Sequence, residues 1–346
     1  MQGIDIIPFK KKYLPLFQEY IHTAFHRKYI LAEERFLDWQ YGRSGKLYLA
    51  LHDGQIVGHL GHRDFFYKVY DQRQQIRVVM NLFSLERYHR TGVGPLLSRK
   101  VFDTPYQVLV SGYNNAAQQL YAHLRENWQE AGNLDRFVAV FNPTHPFLKS
   151  YKIPISSQKS SKQESQISIQ DISKPDKALA ESLDAFWKEV RGRYPVTIER
   201  TADYLWWRFF SHPYLKYSFF VATREEKIVG YLICRSEEAE GCPVARIIDF
   251  VADASAERPL LWHFWERMQG NHAVADFIFS GPLYRGALKD SGFSDVRGTE
   301  FENFPIRFNP VSYEKFIINI AYDISAPLRD FYITKADSDQ DRPNPH

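Results

Sequence analysis

Tyr88-His89-Arg90-Thr91-Gly92-Val93-Gly94-Pro95 has the composition of an anion cradle. Two glycines let a backbone approach a ligand closely. Pro95 suits a first helical turn, where its missing N–H costs nothing. The free N–H groups and positive end of that helix then face a phosphate. Further along, Asn114, Ala117, Leu120 and Tyr121 recur at one-turn spacing, which stacks them on one helix face. By itself Tyr121 reads as a half-buried core aromatic.

These residues need a strand–turn–helix frame, and the flanking sequence supplies one. The chain has 346 residues, 44% hydrophobic, 25% charged and 16% aromatic, enough for about two domains. The pattern is mixed α/β (α+β). Asp5–Pro8 reads as a strand, Lys12–Phe25 and Glu33–Tyr41 as helices. Lys46–His52 and Gln55–His62 form a hairpin about Asp53-Gly54. Arg77–Leu85 is the strand entering the cradle, and Gly92–Asp103 the helix leaving it. Gln107–Ser111 is a buried strand, Asn114–Leu124 a helix, and Arg136–Phe141 a strand closing this half. The polar run Ser156–Ser165 is the linker. The order then repeats: strand Ile167–Ile172, helix Lys177–Val190, hairpin Tyr217–Thr223 and Lys227–Cys234, strand Ala245–Val251, helix Glu257–Gln269, strand Phe277–Ser280, helix Leu283–Ser291. Leu37–Tyr41 resembles Leu205–Phe209, Ile56–Leu60 resembles Ile228–Leu232, and Ser111-Gly112 resembles Ser280-Gly281, at a nearly constant offset. Duplication is therefore expected: a first domain over 1–150, a linker over 151–166, a second over 167–310 and an extension over 311–346.

Composition narrows the function classes. The net charge of +3 without a basic cluster argues against nucleic acid as the main partner. Cys234 and Cys242 alone make no disulfide framework or zinc domain, and H-E-x-x-H is absent, so no metal is expected. No signal peptide and no spanning segment is read, which points to the cytoplasm.

The run Asn81–Leu97 resembles the acyl-CoA signature of the GNAT superfamily of N-acetyltransferases, R/Q-x-x-G-x-G/A after a strand. Tyr88, Gly92 and Gly94 fit; His89 stands at the R/Q position, with Arg90 beside it. Asn114–Tyr121 looks like the family's N-x-x-A-x-x-L-Y helix, although Arg125-Glu126 replaces its usual Gly-Phe. The resemblance implies tandem GNAT-like domains, each a mostly antiparallel twisted sheet flanked by helices. It implies acetyl-CoA, or a related acyl-CoA, as co-substrate: Arg90, Thr91, Gly92, Val93, Gly94 and Pro95 holding the pyrophosphate, with His89 at their edge. Phe83, Ser84 and Leu85 would pair with the pantetheine arm, Asn114 and Ala117 would bind it, and Tyr121 would protonate the departing thiolate. Glu86 is placed for the general base, with His62, Asp64 and His89 as alternatives, because an ammonium must lose a proton before attack.

The second half lacks the G-x-G after Val251, so it is expected to bind no CoA and to wall the acceptor site or mediate homodimerisation. The implied reaction moves an acyl group to the amine of a small molecule, an amino sugar being one acceptor the aromatic content permits. Two other readings stay open: a FemABX-like aminoacyltransferase, and a silent acyl-CoA-binding or scaffold protein. Asp337-x-Asp339-x-Asp341 has the opening spacing of a calcium loop, but Arg342 replaces its glycine, so a solvated acidic tail is expected. Trp206-Trp207 and Trp262-x-x-Trp265 are assigned to core packing.

Overall fold

The computed structural model describes residues 3–25, 29–149, 151, 166–308, 311–314 and 316–343. The expected linker Ser156–Ser165 lies outside them. The strands are β1 Ile4–Pro8, β2 Gly45–His52, β3 Gln55–Val69, β4 Gln72–Ser84, β5 Gln107–Ser111, β6 Gln129–Asn133, β7 Asp135–Val140, β8 Ser168–Asp171, β9 Val196–Ile198, β10 Ser218–Arg224, β11 Lys227–Ala239, β12 Cys242–Ala252, β13 Val274–Phe279, β14 Ser294–Asp295 and β15 Asn319–Tyr322. The α-helices are α1 Leu14–Phe25, α2 Glu34–Tyr41, α3 Val93–Phe102, α4 Asn115–Ala122, α5 Lys177–Val190, α6 Ala202–Leu205, α7 Glu257–Met268 and α8 Arg285–Asp290.

Strand alternation makes each sheet two-faced. In β2, Leu47 and Leu49 join the core under α1 and α2, which Phe17, Tyr20 and Ile21 enter at helical spacing. Ala50 and Tyr48 turn to the opposite core, under α3 and α4. The β2–β3 turn has Asp53 at φ +49° and Gly54 at φ +75°, the left-handed pair that matches strand twist. The second hairpin forces the same geometry on Glu225 and Glu226, at +49° and +64°.

The first sheet runs β1-β2-β3-β4-β5-β15-β6, with β9 on the far end of β3. The second runs β14-β7-β13-β12-β11-β10-β8. Both are mostly antiparallel, with one parallel pair each, β4–β5 and β12–β13. Arg136–Phe141 does not close the first half as expected. It is β7, and it pairs with β13 and β14 of the second sheet. In exchange β15, from the expected C-terminal extension, sits between β5 and β6. The two halves have traded one strand at corresponding places.

The two halves meet through a reciprocal contact. Trp39 and Trp207 occupy equivalent positions in the repeat and stack with centroids 5.0 Å apart. Trp39 Nε1–H donates to the Trp207 carbonyl at 2.7 Å, and Trp207 Nε1–H donates to the Trp39 carbonyl at 3.0 Å. Reciprocal contacts of this kind are the signature of a two-fold axis.

Candidate functional site

β4 and β5 run together from the Ile76–Gln107 pair to the Val79–Val110 pair and then part. The gap opens at a bulge, where the β3–β4 register slips between His59 and Gly61 and Asn81 takes φ +60°. A non-glycine residue held there stores about 1–3 kcal/mol of strain and marks a functional candidate. Its side chain is fixed on both sides. Asn81 Nδ2 donates to the Tyr41 hydroxyl at 2.8 Å, and its Oδ1 accepts from Arg342. Past the bulge, Leu85 N–H donates to the Val57 carbonyl at 3.0 Å. Alternation then turns the backbone of Phe83 toward β3 as well, and the polar groups of Leu82 and Ser84 into the gap. Of the expected trio Phe83, Ser84 and Leu85, only Ser84 offers its backbone there.

The cradle follows. Thr91 N–H closes a turn on the Tyr88 carbonyl at 3.2 Å, and α3 starts at Val93, which puts Pro95 in its first turn. Arg90 at φ +66° and Gly92 at φ +93° flank Thr91. Alternating left- and right-handed residues gather amides into an anion-binding concavity. The first helical bond is Leu96 N–H to Gly92 at 3.0 Å, so the Val93 and Gly94 amides precede any intrahelical partner. No side chain caps this helix. A Cβ on Gly94 would meet only Leu120 Cδ2, at 3.9 Å, so the space over it is open. His89 turns back, its Nε2 3.2 Å from the Ser84 carbonyl. Glu86 is exposed, opening the 3-10 turn Glu86–Tyr88.

The other expected residues divide. Asn114 is the N-cap of α4, its Oδ1 accepting from Ala117 N–H at 2.9 Å; Ala117 leans on the core under α3. Tyr121 is 1% exposed, stacked on Phe102 at 4.8 Å and edge-on to Trp128 at 5.8 Å. Trp128 thus closes one side of the Tyr121 ring. Burial pushes the Tyr121 phenol well above its ordinary value, and the Asp339 carboxylate raises it further. His62 and Asp64 lie elsewhere. They pair at 3.1 Å beside Arg77, whose Nη1 donates to the Val101 carbonyl, at the end of α3 remote from the cradle.

Sequence reasoning missed the segment that meets this gap. Asp337 and Asp341 are buried, not solvated. Asp337 pairs with Arg200 at 2.8 Å, and Asp341 with Arg235 at 2.7 Å and Arg208 at 3.1 Å. Two residues between these anchors, Asp339 and Gln340, are brought to the gap. Gln340 Nε2 donates to the Ser111 carbonyl at the end of β5, at 3.2 Å. The Ser111 hydroxyl is buried without a partner among the described groups. The apolar run Phe331-Tyr332-Ile333 was the available signal that the chain was still inside the fold.

The second half has the same gap and fills it. β12 and β13 part after Ile247 and Phe277. Thr334 bridges to Phe279, Ser280 N–H donates to the Ile333 carbonyl at 2.9 Å, and Tyr332 donates to the Phe250 carbonyl. Ala252 N–H donates to the Tyr284 hydroxyl at 3.1 Å. At the start of α7 the anion is built in: Asp253 Oδ1 accepts from Ser255 N–H at 2.8 Å and Ala256 N–H at 3.0 Å. Among the described residues the first half leaves the amides at the start of α3 uncapped, and its gap is met by the Asp339 and Gln340 side chains instead of a bridging strand. Among the described residues no group of His, Cys, Asp or Glu is arranged to hold a metal, and no helix is long and apolar enough to cross a membrane.

No family model matches the sequence, and no curated protein matches it. The fold is that of known structures. A probable N-acyltransferase from Enterococcus faecalis V583 superposes with a TM-score of 0.62 at 12% identity, covering 93% of this chain and 72% of that one. A GCN5-related N-acetyltransferase from Anabaena variabilis gives 0.59 at 11% identity, over 92% and 72% of the two chains. N-myristoyltransferase from Saccharomyces cerevisiae, with bound myristoyl-CoA, gives 0.56 at 10% identity, over 95% and 84%.

Proposed function

We propose that this chain, which has the fold of the GCN5-related N-acetyltransferases, is an acyl-CoA-dependent N-acyltransferase with one CoA site, in its first half. The observation that carries the reading is the contrast between halves. Asp253 and the Ile333–Thr334 segment occupy in the second half what in the first is left uncapped at Gly92–Gly94 and is met between β4 and β5 by the Asp339 and Gln340 side chains instead of a bridging strand. The Val93 and Gly94 amides would receive the pyrophosphate, helped by Arg90. The Leu82 and Ser84 backbone groups would hold the pantetheine arm.

An acyl-CoA supplies a thioester carbonyl open to attack by an amine. The chain's part is to orient it at the Asn81 bulge, exclude water and manage protons. Tyr121 is the proton donor we assign to the leaving sulfur. Its hydroxyl stays protonated at every working pH, and its ring is locked against Phe102. The acceptor, a small amine, would approach on the α1 side of β4, where Phe25 stacks on Tyr29 at 4.0 Å and lies tilted against Phe83 at 4.7 Å. Acetyl is the acyl group to try first.

The test is thiol release from acetyl-CoA against hexosamine, polyamine, amino-acid and peptide amines, beside a thermal melt. At a hundred-fold excess over its dissociation constant, acetyl-CoA should add about 2.7 kcal/mol of stability. No protection and no thiol release would refute the reading. Protection without release for any amine would favour the silent binding protein.

A further inference from the structure

We propose that Asp339, carried into the β4–β5 gap by the chain's last described segment, is the base that takes the proton from the acceptor amine. The inference rests on the acyltransferase reading and supplies the residue it lacks. Asp339 straddles the gap. Its Oδ1 lies 3.4 Å from Gln340 Nε2, which also donates to Ser111 on β5. Its Oδ2 lies 3.2 Å from Arg342 Nη1, which also donates to Asn81 on the β4 bulge. One side chain on each flank thus ties a single carboxylate to both edges of the opening. Among the described residues Glu86 has no such tie, and it stands exposed beyond the end of β4.

The surroundings suit a base. Two flanking anchors fix the segment: Asp337 on Arg200 and Asp341 on Arg208 and Arg235. The groups in electrostatic reach of Asp339 are Arg342 and Arg307, which favour its charge, and the phenols of Tyr41 on α2 and Tyr121 on α4, both held neutral by burial. Burial outweighs the arginines and raises the carboxyl above its ordinary range, toward the working pH where a base is most effective. In the step, the amine nitrogen bonds to the acyl carbon and gives its proton to the Asp339 carboxylate, and through it to solvent. The C–S bond breaks, and the thiolate leaves with the Tyr121 proton, which solvent restores.

The experiment compares wild type, Asp339→Asn and Asp339→Glu with acetyl-CoA and the best amine. Asp339→Asn should leave the acetyl-CoA dissociation constant within about twofold and lower kcat by about 10²–10⁴-fold. It should also remove the acid limb of the pH profile, with Asp339→Glu restoring part of the rate. A second readout needs no acceptor: the Asp339 carboxyl carbon resonance, assigned by its loss in Asp339→Asn, should titrate above the ordinary range and shift when acetyl-CoA binds. Full turnover in Asp339→Asn, an unmoved resonance with acetyl-CoA bound, or the same loss in Glu86→Gln alone would overturn the assignment. Tighter acetyl-CoA binding by Asp339→Asn with undiminished turnover would also overturn it and make the segment a plug. Failure of wild type to bind acetyl-CoA would instead strike the acyltransferase reading itself.

Discussion

Tyr121 separates packing from chemistry in one side chain. Tyr121→Phe keeps the stack on Phe102 and Trp128 and removes only the proton. In the proposed reaction, turnover then falls by about 10²–10⁴-fold while acetyl-CoA binding survives. Tyr121→Ala should in addition cost about 3–5 kcal/mol of stability, the usual cost of emptying an aromatic site. Equal melting temperatures for Phe and Ala variants would contradict the packing described. Asp341 is the matching case in the ion cluster. With Arg208 and Arg235 buried around it, Asp341→Asn leaves two cations poorly neutralised and should cost about 3–5 kcal/mol in chemical denaturation. The cradle glycines and the Asn114–Tyr121 helix were legible because local spacing encodes them. Asp339 was not, since nothing local tells a buried acidic run from a solvated one. Only the distant arginines 200, 208 and 235 decide it.

At the scale of elements, the turn after α6 holds a pH-sensitive cap. His212 Nδ1 accepts from Tyr214 N–H at 3.1 Å and Leu215 N–H at 2.9 Å, which requires that nitrogen unprotonated. Burial, helped by Arg208, lowers His212 to about 3. His59, under Tyr20 and Phe17, is lowered to about 3 by burial and Arg342. Unfolded histidine titrates near about 6.5. Between about 3 and 6.5 the unfolded chain therefore binds more protons, and stability falls as pH drops through that window. The depressed carboxylates Asp276 and Asp341 act lower, their contribution being complete above about 3.9 and lost only in stronger acid. Melting temperature should thus decline from pH 7 to pH 5. His212→Asn, whose Oδ1 can accept the same two amides without titrating, should flatten the decline; an unchanged slope would remove His212 from it. The hairpins were readable from Asp53-Gly54 and strand alternation. The second turn, Glu225-Glu226, carries no such signal, and β9 and β15 are too short and too dependent on distant partners to show in sequence.

For the whole molecule, the exchange of β7 for β15 means that neither sheet is complete without the other half's strand. Heat and denaturant should therefore unfold the described fold in one transition, with the same midpoint by tryptophan fluorescence and far-ultraviolet dichroism; two resolved transitions would show the halves to be independent. The Trp39–Trp207 pair adds to this joint. A double-mutant cycle with Phe at each position should give a coupling of about 0.5–3 kcal/mol. The Leu37–Tyr41 and Leu205–Phe209 repeat pointed in sequence to two like halves, but not to the exchange, because a short apolar strand fits either sheet. In the proposed function one half of the chain holds an acyl-CoA and the other has closed its site. Titration calorimetry with acetyl-CoA on wild type and Gly94→Val tests it most directly, since an added Cβ there meets no more of the chain than Leu120. Wild type should show one site per chain, and Gly94→Val none at unchanged melting temperature. Two equivalent sites per chain, or undiminished binding by Gly94→Val, would contradict it.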